Sequence, residues 1–341
     1  MFDGYWGNRH VAVALCQMVA QQRVAQTLLF SGPEGTGKAT LARRLGARLL
    51  GHPELIEKDD LSAAANRETV ADRERWPADK RNEDPLMFST HPDFVTFAPD
   101  GPLRQISIPQ TRLLKELAQY LPHHGSRRIF LIDGVDRAND QAANSLLKTL
   151  EEPPDHLILI LTAANAYDLL PTIRSRAVPF FFAPLSPVEM REFVSARGLD
   201  QPERRIALAA GSPGVAASLD LEAHDRRRAA MLTLLKVASG AAPFATWIPV
   251  SETLARTKSE KLELHLKALY ELLRDLLALT EGDGEIRNLD IRGDLQALAA
   301  TVSFPWIRKA VARVDDVTQL VRRNIQKTIA LDALIVALRS E

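Results

Sequence analysis

A glycine-rich stretch near the N-terminus carries the residues best suited to chemistry. After an apolar run that ends at Phe30, the chain continues Ser31-Gly32-Pro33-Glu34-Gly35-Thr36-Gly37-Lys38-Ala39-Thr40. Apart from its last position, this spacing matches the phosphate-binding pattern G-x-x-x-x-G-K-[ST]. In such a loop, backbone N–H groups surround phosphate oxygens, and the lysine reaches the β- and γ-phosphates. The sequence therefore predicts cofactor-binding residues at Gly32, Gly35, Gly37, Lys38, Ala39 and Thr40.

The end of this loop is unsuited to hydrolysis. Ala39 stands where a serine or threonine hydroxyl ordinarily ligates Mg²⁺, and a methyl group cannot replace it. Thr40 lies one residue further on, about 100° around a helix, and is a poor substitute. We expect ATP or ADP to bind weakly here without being hydrolysed, and the sequence leaves open whether nucleotide is bound at rest.

A second stretch ends in a carboxylate. Ile129 to Ile132 are apolar and lead into Asp133, as in a buried parallel strand with an acid at its carboxyl end. Open α/β sheets place functional groups at this end of their strands, and an aspartate here organises Mg²⁺ in phosphate-loop proteins. Asp133 is therefore predicted to bind the cofactor. The next residue is Gly134, where ATPases of this type usually carry a glutamate that polarises the attacking water.

Strand and helix patterns alternate around these two stretches and predict a doubly wound parallel sheet. The predicted strands are Thr27 to Phe30, Phe94 to Phe97, Ile129 to Ile132, Leu157 to Leu161 and Val178 to Phe182. Residues 51–93 interrupt the pattern with clustered charges and poor periodicity, as an insertion would. After Pro184, strand patterns nearly cease and apolar residues recur at helical spacing.

These changes of pattern predict three consecutive domains. Residues 1–183 form an α/β domain of the nucleotide-binding type, residues 184–238 a small helical lid, and residues 243–341 a helical C-terminal domain. The segment from Gly240 to Pro243 is predicted to link the last two.

Composition narrows the classes of function. Lys+Arg and Asp+Glu both number 43, so the net charge is zero and any contact with DNA is expected to be local or shared with other chains. The single cysteine, Cys16, excludes an intrachain disulfide and a multi-cysteine zinc site, which fits a reducing cytoplasm. His123 and His124 are adjacent histidines without the carboxylate or cysteine ligands that a metal site would add. No apolar run approaches the roughly 18 residues of a membrane span. We expect no bound metal, no membrane segment and a cytoplasmic location.

Several runs together resemble the bacterial clamp-loader subunits of DNA polymerase III, which belong to the AAA+ family, and among them the delta-prime type. These runs are Ile132 to Ala138, Ala142 to Pro154, Ser175-Arg176, His91-Pro92-Asp93 and Arg322-Arg323-Asn324-Ile325. The resemblance covers essentially the whole chain. It implies an AAA+ domain, a lid, and a C-terminal collar through which subunits oligomerise.

The departures from the family favour a non-motor subunit. Motor subunits carry Ser or Thr at position 39, Glu at position 134 and an arginine near position 214, where this chain has Ala39, Gly134 and Gly214. They also carry a four-cysteine zinc module in the region where residues 51–93 contain no cysteine. Delta-prime subunits often lack competent ATPase parts.

The resemblance also implies a role for Arg176. In the family, this arginine projects into the ATP site of a neighbouring subunit, although the usual Ser-Arg-Cys here ends in Ala177. The resemblance further implies gamma/tau and delta subunits as partners. A sliding clamp and primed DNA would be contacted through the complex. The polymerase holoenzyme is a nucleotidyltransferase, whereas this chain is expected to lack ATPase and polymerase activity of its own.

Other functions remain open from the residues alone. The chain could be an autonomous phosphate-loop ATPase or kinase, or the gamma/tau motor subunit of the same complex. Arg176 could equally form a surface salt bridge, which is worth under ~1 kcal/mol. Ala39 and Gly134 count against both enzymes, and an ATPase assay on the isolated chain would separate an autonomous enzyme from a non-motor subunit.

Overall fold

The chain forms two compact units. The computed structural model describes residues 2, 4–256, 261–282, 284–321 and 326–339. The N-terminal unit comprises Met1–Leu199 and Gly211–Ser218, and the C-terminal unit comprises Asp200–Ala210 and Leu219–Glu341. The predicted division at residues 183, 238 and 243 stays a prediction. The run Arg322 to Ile325 lies outside the described residues.

A six-stranded sheet forms the centre of the N-terminal unit, in the order β2-β3-β4-β5-β1-β6. Its strands are β1 Thr27–Ser31, β2 Met87–Phe88, β3 Phe94–Phe97, β4 Arg128–Ile132, β5 Leu157–Ala163 and β6 Val178–Phe181. Every described pair is parallel except the edge pair of β2 with β3, which is antiparallel. The predicted parallel sheet is therefore confirmed, and the two-residue β2 is an addition that is too short to show periodicity.

Helices cover both faces of this sheet. They are α1 Arg9–Ala20, α2 Lys38–Leu50, α3 Pro53–Ile56, α4 Ala64–Arg73, α5 Ala78–Glu83, α6 Ile108–Leu117, α7 Asp140–Glu151, α8 Pro171–Arg174, α9 Pro187–Ala196 and, after an intervening helix of the other unit, α11 Pro213–Ser218. Leu28 and Phe30 of β1 pack in one apolar cluster with α1 and α2. Leu29, which points to the opposite face, packs in a second cluster with α6, α7 and α8. This alternation buries β1 on both sides and fixes the register that aims the loop after it.

The segment between α2 and β3 is folded around a buried ion pair. Arg73 of α4 donates to the carboxylate of Asp100, with Nη2 to Oδ2 at 2.9 Å and both side chains 5% exposed. Arg73 also contacts Asp84 at 3.1 Å, and Val70, Leu86 and Ala98 form a small apolar cluster. The predicted insertion therefore consists largely of short helices, whose ionic contacts are not visible in its local periodicity.

The C-terminal unit is helical throughout its described residues. Its helices are α10 Pro202–Ala209, α12 Leu221–Ala238, α13 Ile248–Arg256, α14 Leu262–Glu281, α15 Arg292–Ala299, α16 Phe304–Val321 and α17 Lys327–Arg339. One apolar core runs from Met231 in α12 to Leu338 in α17, with Trp247 almost fully buried within it. The predicted helical C-terminal region is confirmed, and α12 shares its core with the helices beyond Gly240.

The described residues contain no candidate for a membrane span or for a metal-binding cluster. No helix there combines the length and the apolar character that crossing a membrane requires. No group of three or more His, Cys, Asp or Glu side chains in that part of the chain is arranged to hold a metal ion.

Candidate functional site

The phosphate loop joins the carboxyl end of β1 to the N-terminus of α2. At its start, Gly32 has φ +148°, and a Cβ there would lie 2.1 Å from the carbonyl oxygen of Phe182. Only glycine fits this close backbone approach. At its end, Gly37 is the N-cap of α2 with φ +90°. The two glycines thus give the loop the turn that the sequence pattern predicts.

Lys38, the first residue of α2, is turned toward its own loop. Its Nζ donates to the carbonyl oxygens of Gly32 at 2.6 Å and Pro33 at 2.7 Å. Burial lowers the pKa of Lys38, and the nearby charges of Asp133, Asp136 and Glu34 act in the opposite direction. The ammonium is therefore satisfied within the loop, and a phosphate would have to replace two backbone acceptors.

Other parts of the N-terminal unit close over the loop. Gly214, at the start of α11, donates its N–H to the carbonyl oxygen of Gly35 at 2.8 Å. A Cβ on Gly35 would lie 2.8 Å from the backbone nitrogen of Val215, and one on Gly37 would lie 3.0 Å from the ring of Tyr5. The Tyr5 hydroxyl is buried with no hydrogen-bond partner in the described structure, and burial raises its pKa.

The residues that follow the lysine offer no metal ligand of the usual kind. Ala39 is half-buried and packs its methyl group against the apolar cluster around α1 and α2. Thr40 is also half-buried, one position further along α2. The sequence placed both in the cofactor site, and that assignment stays a prediction; the methyl group of Ala39 packs against the core.

Asp133 lies where the strand pattern predicts, immediately after β4. Its Oδ1 accepts a hydrogen bond of 2.5 Å from the hydroxyl of Thr162, and that hydroxyl accepts one of 2.8 Å from the N–H of Gly134. Burial raises the pKa of Asp133, while Thr162 and the Arg43 and Lys38 charges lower it. Sequence reasoning overlooked Thr162. The signal was available, because β4 and β5 are neighbouring parallel strands whose carboxyl ends meet.

Arg176 lies near the amino ends of the parallel strands, whereas the phosphate loop lies at their carboxyl ends. It precedes β6 by two residues, and β6 runs parallel to β1 with Phe181 paired to Ser31, the last residue before Gly32. From Val178, the first residue of β6, to Phe182, the chain extends by about 13 Å along the strand direction, and Arg176 lies before that stretch. The structure thus separates Arg176 from the phosphate loop of its own chain.

The Arg176 side chain is held on the surface of its own chain and is 32% exposed. Its Nη2 donates to Oε1 of Glu151 at 2.6 Å, and its Nη1 donates to the carbonyl oxygen of Thr172 at 2.9 Å and to Oγ of Ser175 at 3.3 Å. Glu151 is the last residue of α7, and no pattern in the sequence links it to Arg176.

The arrangement fits phosphate binding better than it fits hydrolysis. The loop keeps its glycines, Lys38 and the helix N-terminus, which suit a phosphate group. The hydroxyl that ligates Mg²⁺ is replaced by Ala39, and the residue after Asp133 is Gly134 with φ +74° and no side chain to polarise water. We therefore derive no catalytic step at this loop.

Comparisons with known proteins identify the family of this chain. The family model described as "DNA polymerase III, delta subunit" matches residues 7–186. The DNA polymerase III subunit delta' of Pseudomonas aeruginosa is 30% identical over 331 residues, which cover 94% of this chain and 93% of the relative. The DNA polymerase III subunit tau of Escherichia coli is 30% identical over 185 residues, which cover 54% of this chain and 26% of the relative.

A solved structure supports the fold. The DNA polymerase III gamma subunit-related protein of Thermotoga maritima has a TM-score of 0.51 at 16% identity, covering 95% of this chain and 98% of that chain. The similarity to delta' extends over nearly the full length of both proteins, whereas the similarity to tau is confined to about a quarter of that relative. With the family model matching more than half of its residues, this chain belongs to the delta-prime family of DNA polymerase III subunits.

Proposed function

We propose that this chain is a non-motor subunit of the clamp loader of DNA polymerase III and that it supplies Arg176 to the ATP site of a neighbouring subunit. In that site the guanidinium stabilises the charge that develops on the transferred phosphoryl group. An arginine delivered between subunits in this way can raise the rate of phosphoryl transfer by ~10³–10⁵. The chain itself contributes no hydrolytic turnover.

One observation carries the proposal: the arginine and the phosphate loop of this chain lie at opposite ends of the parallel strands of one sheet. Arg176 precedes β6, whereas Gly32 follows β1, and the two strands are parallel neighbours. A side chain of about 7 Å cannot cross the ~13 Å that β6 spans between these two ends of the strands. An arginine in this place can act on a nucleotide only if another chain brings that nucleotide to it.

The proposal extends to the partners and the setting. Gamma/tau and delta subunits are the proposed neighbours, and the sliding clamp and primed DNA are contacted through the complex, in the cytoplasm. The phosphate loop of this chain binds ATP or ADP weakly, and no zinc is bound. The family relationship supports a clamp-loader type of partner, and the individual partners are part of the proposal.

The test uses a reconstituted complex in which only this chain is varied. Arg176→Ala is compared with Arg174→Ala, since Arg174 is an arginine on the same turn that lies over the ring of Tyr167 at 5.1 Å instead. We expect both complexes to assemble with unchanged stoichiometry, and only Arg176→Ala to lower ATPase turnover and clamp loading in the presence of clamp and primed DNA. Arg176→Lys should remain impaired, because lysine keeps the charge but lacks the planar fork.

Two outcomes count against the proposal. Normal turnover with Arg176→Ala would show that no site in the complex uses this arginine. Failure of that variant to assemble, with Arg174→Ala assembling normally, would give Arg176 a structural role.

A further inference from the structure

We propose that Glu151 is a positioning residue for Arg176: its carboxylate holds the guanidinium in the orientation in which a neighbouring subunit's nucleotide meets it. This inference rests on the proposed function, since it concerns how Arg176 is presented. The inference adds to the proposed function a residue of this chain, Glu151, that touches neither nucleotide nor phosphate.

The pair joins two elements whose positions are fixed by apolar packing and do not depend on the ion pair. Glu151 ends α7, which stops where Pro153 and Pro154 follow, and Leu150 beside it is buried in the core. Arg176 follows α8, whose Ile173 is buried in the same apolar cluster. Because both backbones are anchored by packing, the 2.6 Å contact between Oε1 and Nη2 restrains the arginine side chain and leaves the fold to other contacts.

The contacts leave part of the guanidinium for an outside acceptor. Arg176 has five N–H groups, of which the carboxylate of Glu151, the carbonyl of Thr172 and the hydroxyl of Ser175 take three. In the described part of the chain no acceptor takes the other two. The side chain is 32% exposed, and on this proposal these two N–H groups meet phosphate oxygens while the contact to Glu151 persists.

The contact with Glu151 is expected to favour catalysis by holding the Arg176 side chain in one orientation. A free arginine side chain loses much rotamer entropy when it is fixed, and a catalytic group that is already fixed avoids that loss at the transition state. Glu151 makes the contact from the end of α7, and the next residue, Glu152, lines a different cleft with Arg112 and Lys148. Two adjacent glutamates with different surroundings make a matched pair for an experiment.

The experiment is a double-mutant cycle on the reconstituted complex, measured as kcat and KM for ATP in the presence of clamp and primed DNA. Glu151→Ala should lower kcat by about 3- to 30-fold with little change in KM, and Glu152→Ala should leave kcat unchanged. Glu151→Gln keeps an acceptor oxygen and should retain more activity than Glu151→Ala. In an Arg176→Ala background, Glu151→Ala should cause no further loss, because the group it positions is gone.

The outcomes separate this inference from the proposed function. If Arg176→Ala lowers kcat but Glu151→Ala leaves it unchanged, raises it, or adds an independent loss in the Arg176→Ala background, the positioning role is wrong and the proposed function stands. If Arg176→Ala itself has no effect, both are wrong. Gel filtration of each variant with its partners establishes that the complexes compared are intact.

Discussion

Gly214 donates its backbone N–H to the carbonyl oxygen of Gly35 at 2.8 Å, so the start of α11 lies directly on the phosphate loop. A Cβ at position 214 would lie 3.0 Å from the Cα of Gly35. Motor subunits of the family carry an arginine near this position. Here backbone meets backbone, and position 214 carries no side chain that could reach a phosphate.

We expect the isolated chain to hydrolyse ATP negligibly and to bind nucleotide weakly. Lys38 would have to leave two carbonyl oxygens before it met a phosphate, and Ala39 and Gly134 supply neither a metal ligand nor a polarising carboxylate. Phosphate release and calorimetric titration with ATP and ADP check the two halves of the prediction. Turnover above background that Lys38→Ala abolishes would contradict it.

Gly32→Ala should destabilise the N-terminal unit strongly. The added Cβ would lie 2.1 Å from the carbonyl oxygen of Phe182, so β1 and the residue after β6 would have to separate. We expect a loss of at least about 3 kcal/mol in the free energy of unfolding. Gly125→Ala is the control, because Gly125 has φ +70° but nothing within 4 Å of its Cβ position, and should cost about 1–2 kcal/mol. Equal losses in thermal unfolding would contradict the steric account.

Asp100→Ala should destabilise the segment between α2 and β3 by about 3–5 kcal/mol, because it leaves the charge of Arg73 buried without its main partner. Asp84→Ala removes a carboxylate that is 68% exposed from the same arginine and should cost at most ~1 kcal/mol. Limited proteolysis within residues 53–86 reports the local effect. Similar cleavage of the two variants would show that the buried pair is not the main support of this segment.

His224 should make α12 sensitive to acid. Burial, with Arg228 nearby, lowers its pKa from 6.5 to about 4, while Asp225 acts in the opposite direction. Between these values the unfolded chain binds a proton that the folded chain does not, so stability falls as the pH falls, by at most about 1.4 kcal/mol per pH unit.

The measurement for this prediction is hydrogen exchange of the α12 amides between pH 4.5 and 7.5, corrected for the intrinsic rate. His224→Gln should flatten the pH dependence of protection, whereas His10→Gln, at an exposed position of α1, should leave it intact. An unchanged slope in His224→Gln would assign the acid sensitivity to other groups.

The sequence predicted those parts of the site that are written in local patterns. The glycine spacing and the apolar run before Asp133 predicted the loop, the strand and the acid at its end, because each depends on neighbours along the chain. Thr162, Tyr5 and Gly214 meet the site from distant segments, and only the packed sheet brings them there. Their part in it depends on register and close approach, which local periodicity does not contain.

The same distinction applies to Arg176. Its identity as a candidate depended on a family motif, and its distance from the phosphate loop depends on the direction of β6 relative to β1. That separation follows from the parallel sheet that the sequence predicts. The contact with Glu151 could not be foreseen, because it joins surface side chains 25 residues apart.

The separation of Arg176 from the phosphate loop has a consequence for the architecture of an assembly. Subunits that each extend one sheet edge toward the opposite edge of the next are arranged head to tail, and such a row has a direction. On the proposed function, this chain offers a working arginine at one edge and an incapable nucleotide site at the other. It can supply Arg176 to the ATP site of one neighbour, and its own phosphate loop needs no arginine from a second neighbour. We therefore expect this chain at one end of the row, where the series of ATP sites completed by a neighbour's arginine begins or stops.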